Sequence, residues 1–102
     1  MLQIEIKSSF VELGNFLRQF SKDGNVKSAS VLQNDLFFDD FASLIALSQS
    51  HNGWFTPEQV KFSVQSWAKA LTEDNLNQWL SNYDFSKNEP KKVGLVLAGN
   101  IP

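Results

Sequence analysis

No cysteine occurs in the chain. That excludes disulfides, thiolate metal sites and a cysteine nucleophile within these residues. It also fits a reducing compartment, so a cytoplasmic location is expected. Histidine occurs once, as His51. A catalytic base or metal ligand needs companions, none is suitably spaced, and His51 reads as a helix-end residue. A basic stripe is missing too. Nine Lys and Arg stand against eleven Asp and Glu, for a net charge of −2. The longest basic run is Lys91-Lys92. Nucleic-acid binding needs a concentrated positive footprint, so no nucleic-acid partner is expected. Met1 to Lys7 has no basic region ahead of an apolar core, so no signal peptide is read there. No apolar run approaches the length that spans a bilayer, and no transmembrane segment is expected. Internal repeats and low-complexity tracts are lacking as well.

What the chain has is aromatic surface. It carries nine Phe, three Trp and one Tyr in 102 residues, with 42 % apolar residues in all. This length leaves room for one domain with a modest core. Aromatic side chains bury large areas and can hold such a core. Any surplus that a small unit cannot hide would face a second domain or a partner.

Hydrophobic spacing predicts four helices. In the first, Gln3 to Lys22, Leu2, Ile6, Phe10, Leu13, Leu17 and Phe20 recur at intervals of three and four, and Phe16 widens the stripe. A rival reading exists at its start. Leu2, Ile4 and Ile6 alternate with polar residues as a strand would, and Ser9 with Glu12 would then form a capping box. The longer helix is the preferred reading. Lys22-Asp23-Gly24-Asn25 ends it with turn chemistry.

After a polar, irregular stretch, Asn34 or Asp35 is expected to cap a second helix running to about Ser50. Its inner face is predicted as Phe37, Phe38, Phe41, Leu44, Ile45 and Ser48, with Leu47 at the margin. His51-Asn52-Gly53 closes it. Thr56-Pro57-Glu58-Gln59 combines a capping residue, proline at the first helical position and a capping-box Gln. Trp54 or Phe55 can staple onto that first turn. Val60, Val64, Trp67, Ala68 and Leu71 form the expected buried stripe of the third helix. Thr72 caps a short fourth helix, in which Leu76, Trp79, Leu80 and Tyr83 share a face. Asp84 to Lys92, with Pro90, reads as a linker.

The pattern then changes. Val93-Gly94-Leu95-Val96-Leu97-Ala98 is a continuous apolar run without helical period, as in strands covered on both faces. Gly99-Asn100-Ile101-Pro102 follows as turn chemistry. The expected fold is mainly α. A small bundle of about four helices (1–90) precedes an orphan strand and turn (91–102) that belong to a downstream α/β, Rossmann-like domain.

Few residues are candidates for chemistry. Asp39-Asp40 and Glu73-Asp74 sit near helix N-termini, where carboxylates favour the helix dipole, and this outweighs an acid–base role. Ser8-Ser9 and Ser28 to Ser30 have no nearby base. Trp54, Trp67 and Trp79 read as core or interface anchors rather than a ligand cage. The turn at Ala98, Gly99, Asn100, Ile101 and Pro102 remains. In open α/β folds ligands bind at the carboxyl ends of strands, and a small residue followed by Gly lets a cofactor approach the main chain. There is no G-x-G-x-x-G, and from pattern alone an ordinary strand-to-loop turn is favoured over a cofactor role by about three to one.

Three stretches carry a resemblance. His51-Asn52-Gly53-Trp54-Phe55-Thr56-Pro57-Glu58, Leu71-Thr72-Glu73-Asp74-Asn75-Leu76 and Val93 to Pro102 together resemble the start of a bacterial acyl-CoA reductase. The family is that of the LuxC-type long-chain fatty-acid reductases, which supply aldehyde in bacterial luminescence. The last stretch is the most specific part. The resemblance implies a parent similar in fold to aldehyde dehydrogenases, with a nucleophilic cysteine far downstream. It implies transfer of an acyl group from acyl-CoA to that cysteine and reduction by NADPH to a fatty aldehyde. It places Ala98 to Pro102 beside the nicotinamide end of the cofactor. By this reading the chain is an N-terminal helical scaffold that is inactive and binds no cofactor alone. Its partners are the downstream domains of the same chain, and the acyl-CoA substrate belongs to the parent. The alternative is a freestanding helical protein–protein interaction module without catalysis. With its strand unpaired, the 102-residue chain is expected to be disordered at its tail, to fold back on the helices, or to dimerise through the tail.

Overall fold

In a computed structural model, residues 3–86 and 89–97 are described. Four helices and one minimal two-stranded ribbon follow one another: α1 Gln3–Leu17, β1 Phe20–Ser21, β2 Gly24–Asn25, α2 Asn34–His51, α3 Pro57–Ala70 and α4 Glu73–Leu80. The mainly helical expectation holds. α3 is the central element, packing on α1, α2 and β1, while α4 packs on α1.

α1 starts at Gln3, so the strand reading of the N-terminus is wrong. It also ends five residues before the expected Lys22. Arg18 N–H still donates to the Gly14 carbonyl, at 3.0 Å, but Gln19 N–H turns to Phe16 O at 3.3 Å and the coil tightens. The chain then reverses through Lys22-Asp23, with Phe20 paired to Asn25 and Ser21 to Gly24 in an antiparallel ribbon. Gly24 has φ +134°, a conformation that L side chains rarely adopt, and this makes the tight reversal possible. Ser21 Oγ donates to Gly24 O at 3.0 Å and accepts from Asp23 N–H at 3.2 Å. The turn residues were legible; the ribbon was not, because two residues per strand leave no alternation to read.

The buried line of α1 is rotated from the expected one. Gly14 and Phe16 are buried and Val11 and Leu17 half-buried, while Ile6, Phe10 and Leu13 stay exposed. The cause is Gly14. Lacking a side chain, it lets the end of α3 at Leu71 approach closely, so α1 turns its Lys7–Val11–Gly14 side inward. Lys7 crosses to α4, donating to Asn77 Oδ1 at 2.8 Å with Glu73 Oε1 at 3.9 Å.

Phe20 is the centre of the core, at 0 % exposure, packed with Phe16, Phe38 and Ile45. Its ring lies 5.3 Å from Phe16, 4.9 Å from Phe38 and 4.8 Å from Phe41, in tilted or edge-on geometries that the ring quadrupole favours. A polar clasp adjoins this cluster. Gln19 and Asn34 are both buried and exchange amide hydrogen bonds of 2.8 and 2.7 Å. Asn34 also donates to Ser28 O, and Ser28 N–H donates to Gln19 Oε1, each at 2.8 Å. Buried amides are costly unless paired, and here each serves the other. Asn34 is therefore not the cap of α2, contrary to expectation. Gln33 holds the N-cap position without a side-chain cap bond.

On α2 the buried line is Phe38, Phe41, Ala42 and Ile45, with Ser48 half-buried. Phe37, Leu44 and Leu47, expected inside or at the margin, are exposed. The apolar arc of α2 is wider than the contact that α1 and α3 offer it. On α3, Thr56 Oγ1 accepts from Gln59 N–H at 3.2 Å, as the sequence predicts. Val60, Val64, Ala68 and Leu71 lie along one line, but Trp67 is 57 % exposed, which corrects its place in the stripe. One residue from Ala68 is a rotation of about 100°, enough to leave the seam. Thr72 caps α4 as expected, accepting from Asn75 N–H at 3.2 Å. Trp79 and Tyr83 pack edge-on at 6.0 Å and Phe85 extends the row, but α4 ends at Leu80, so Tyr83 lies beyond the helix whose face it was expected to share.

Val93–Leu97 is not a strand among the described residues. It has no secondary structure and is exposed throughout, Val96 fully. A strand needs a ladder partner, and none is present for it here. The radius of gyration, 16.0 Å, exceeds the ~13 Å of a compact chain this long.

Candidate functional site

The turn at Ala98, Gly99, Asn100, Ile101 and Pro102 lies outside the described residues, as does the end of the predicted strand. The other sequence candidates are dispersed. His51 is the exposed last residue of α2. Asp39 Oδ1 stands 4.0 Å from Lys27 Nζ, whose ammonium also lies 4.9 Å from the Phe38 ring centroid. Glu73 is next to Lys7, on another part of the surface. Ser28 and Ser30 share a hydroxyl hydrogen bond of 2.9 Å, and Ser9 donates to Glu5 O at 2.9 Å, so these hydroxyls face no base. Asp84 accepts from Ser86 O–H at 2.7 Å and Ser86 N–H at 3.0 Å, which holds its carboxyl below the usual range. That is a local turn contact on an exposed segment. Among the described residues, no group of His, Asp and Glu is placed to hold a metal ion. No helix among them is long and apolar enough to cross a membrane.

Two concavities stand out among the described residues. A polar hollow of about 550 Å³ lies between the end of α1 and residues 21–33. Its cation, Arg18, is already engaged, donating to Asn15 Oδ1 and Ala68 O at 2.8 Å each. The second is an apolar groove of about 400 Å³ between α1 and α2, lined by Leu13, Phe16, Leu17, Phe37, Phe41 and Leu44. Ser9, Gln33 and the exposed carboxylates of Glu12 and Asp40 complete its wall, and no Lys, Arg or His lines it. Gln33 Nε2 donates to Glu12 Oε2 at 3.1 Å, tying the two helices together at one point of the groove.

The sequence reading placed Leu13, Phe37 and Leu44 in the core and so missed the groove they line. The signal was there in the aromatic surplus, which called for surface left uncovered. Phe37 and Leu44 are 55 % and 60 % exposed while Phe38 and Ile45, one position along, are buried. This arrangement leaves an apolar surface uncovered between α1 and α2. It is a greasy, acid-edged channel on a helical body whose buried polar side chains are all hydrogen-bonded among the described residues.

Compared with known protein families, with curated proteins and with solved structures, the chain matches none.

Proposed function

We propose that this chain is the non-catalytic helical scaffold at the N-terminal side of an NADPH-dependent acyl-CoA reductase. The observation that carries the scaffold role is the uncovered α1–α2 face, set on a body whose buried polar side chains are all hydrogen-bonded among the described residues. Contiguous apolar patches of this kind mark interfaces. The exposed run Val93–Leu97 adds a second unsatisfied element, with the composition of a strand buried on both faces. A sheet that accepted this run would sit directly beyond the Asp84–Lys92 linker. The resemblance of His51–Glu58, Leu71–Leu76 and Val93–Pro102 to acyl-CoA reductases supports the identity of that sheet as the cofactor domain. In the proposed parent, reduction of an acyl-cysteine by NADPH takes place downstream. The residues of this chain contribute packing, and Ala98–Pro102 contribute a turn close to the cofactor.

The freestanding interaction module is the second reading. It draws on the further exposed aromatics Trp54, Phe62, Trp67 and Trp79. The two separate on one experiment. The native reading frame is sequenced past the codon for Pro102, and the longer protein is incubated with acyl-CoA thioesters of increasing chain length. The enzyme reading expects a cysteine in the continuation, a mass increase of one acyl group, and acyl-CoA-dependent oxidation of NADPH. A stop directly after Pro102, or a longer protein that neither acylates nor oxidises NADPH with any of the thioesters, rejects it in favour of the module.

A further inference from the structure

The tail and the α1–α2 groove have complementary chemistry. Lys91-Lys92 is followed by the apolar run Val93-Gly94-Leu95-Val96-Leu97, all of it exposed. The groove is apolar along its floor, carries Glu12 and Asp40, and has no cation in its lining. Their lengths agree. Five extended residues span about 16 Å at a strand rise. The lining runs from Ser9 to Leu17 on α1 and from Gln33 to Leu44 on α2, about 12 and 16 Å at the helical rise. A chain's own tail stands away from its own groove.

We infer that the groove of one copy of the 102-residue chain receives residues Lys91–Leu97 of a second copy, and the second groove receives the first tail. Val93, Leu95 and Leu97, which share one face of the extended segment, enter between Leu13, Phe37 and Leu44, while Lys91 and Lys92 meet Asp40 and Glu12. The exchange is symmetric, as an isologous dimer requires. This goes beyond the enzymatic reading and stands without it. In a longer protein, a downstream domain that covered the α1–α2 face or took up Val93–Leu97 would compete with the exchange.

The test is sedimentation equilibrium of the intact chain across about 1 µM to 1 mM, spanning the affinities such an interface can have. Three further samples accompany it: the chain ending at Pro90, the 102-residue variant Leu44→Lys, and a mixture of the two. Leu44 is largely exposed, so the lysine leaves the fold in place while placing a cation against the incoming Lys91-Lys92. The intact chain is expected to dimerise, and each altered protein alone to associate about tenfold or more weakly. The mixture is expected to form a heterodimer, because the shortened chain keeps a groove and the lysine variant keeps a tail. Raised salt should weaken the intact dimer, since the cation–carboxylate contacts lie at the surface. Three outcomes overturn the inference. One is a chain that stays monomeric across the range. Another is a dimer indifferent to Leu44→Lys. The third is a dimer lost on shortening with no heterodimer in the mixture, which means tail pairing with tail.

Discussion

Phe20→Ala is expected to remove about 3–5 kcal/mol of folding stability. The side chain has 0 % exposure and its ring meets those of Phe16, Phe38 and Phe41 within 5.3 Å. Phe20 is also the residue at which α1 has ended and the ribbon begins, so its backbone is fixed by pairing with Asn25. The surrounding rings come from α1 and α2, whose positions are set by α3 and by the Gln19–Asn34 clasp. Such a site collapses poorly around a deleted ring, which puts the loss toward the upper end of the range. A chain of this size has about 5–15 kcal/mol in all, so the variant should lose a third or more of it. The midpoint of thermal unfolding should fall by about 15 °C or more. Urea unfolding followed by circular dichroism measures it. A loss under about 1 kcal/mol would place the core elsewhere.

Gly14→Ala should be the second large effect, and its sign is informative. In an ordinary helix interior, Gly to Ala stabilises by about 1 kcal/mol. Here an added Cβ overlaps the Leu71 carbonyl oxygen and stands 2.9 Å from Leu71 Cβ and 3.2 Å from its carbonyl carbon. Most of that obstruction is backbone, so no rotamer change relieves it. Leu71 N–H donates to Trp67 O at 2.9 Å and ends α3, while Thr72 next to it caps α4. Moving α1 away would also strain the Lys7–Asn77 contact. Overpacking of this kind costs more than the helix propensity returns, and a net loss of about 1–3 kcal/mol is expected. Gly53→Ala is the control, since its Cβ meets nothing within 4 Å; it should stay within about 0.5 kcal/mol of the parent. If Gly14→Ala stabilises the protein, the close approach of α1 and α3 is wrong.

The helices were legible where their ends carry chemistry. Thr56-Pro57 and Thr72 announce α3 and α4 because a hydroxyl cap leaves a local pattern. Faces were harder. The spacing of Ile6, Phe10 and Leu13 marks an apolar stripe on α1, yet what α1 buries is decided by Gly14, whose missing side chain has no hydropathy to read. On α2 the arc from Phe37 to Leu47 is continuous, and only its neighbours decide that Phe38 and Ile45 go in and Phe37 and Leu44 stay out. Asn34 looked like a cap because Asn favours caps. Its actual partner, Gln19, lies fifteen positions earlier, beyond the range of a local rule. The tail shows the limit most clearly. Val93–Leu97 has the composition of a covered strand, but being a strand depends on a neighbour, and the described residues supply none.

The central claim is that the α1–α2 face is a docking surface for the domain that follows in a longer protein. Hydroxyl-radical footprinting tests it directly, by comparing the chain ending at Pro90 with the protein extended through its native reading frame. Phe10, Leu13, Phe37 and Leu44 should label strongly in the short chain and weakly in the extended one, while buried Phe20 labels weakly in both. Equal labelling of the four residues in both proteins would contradict the claim.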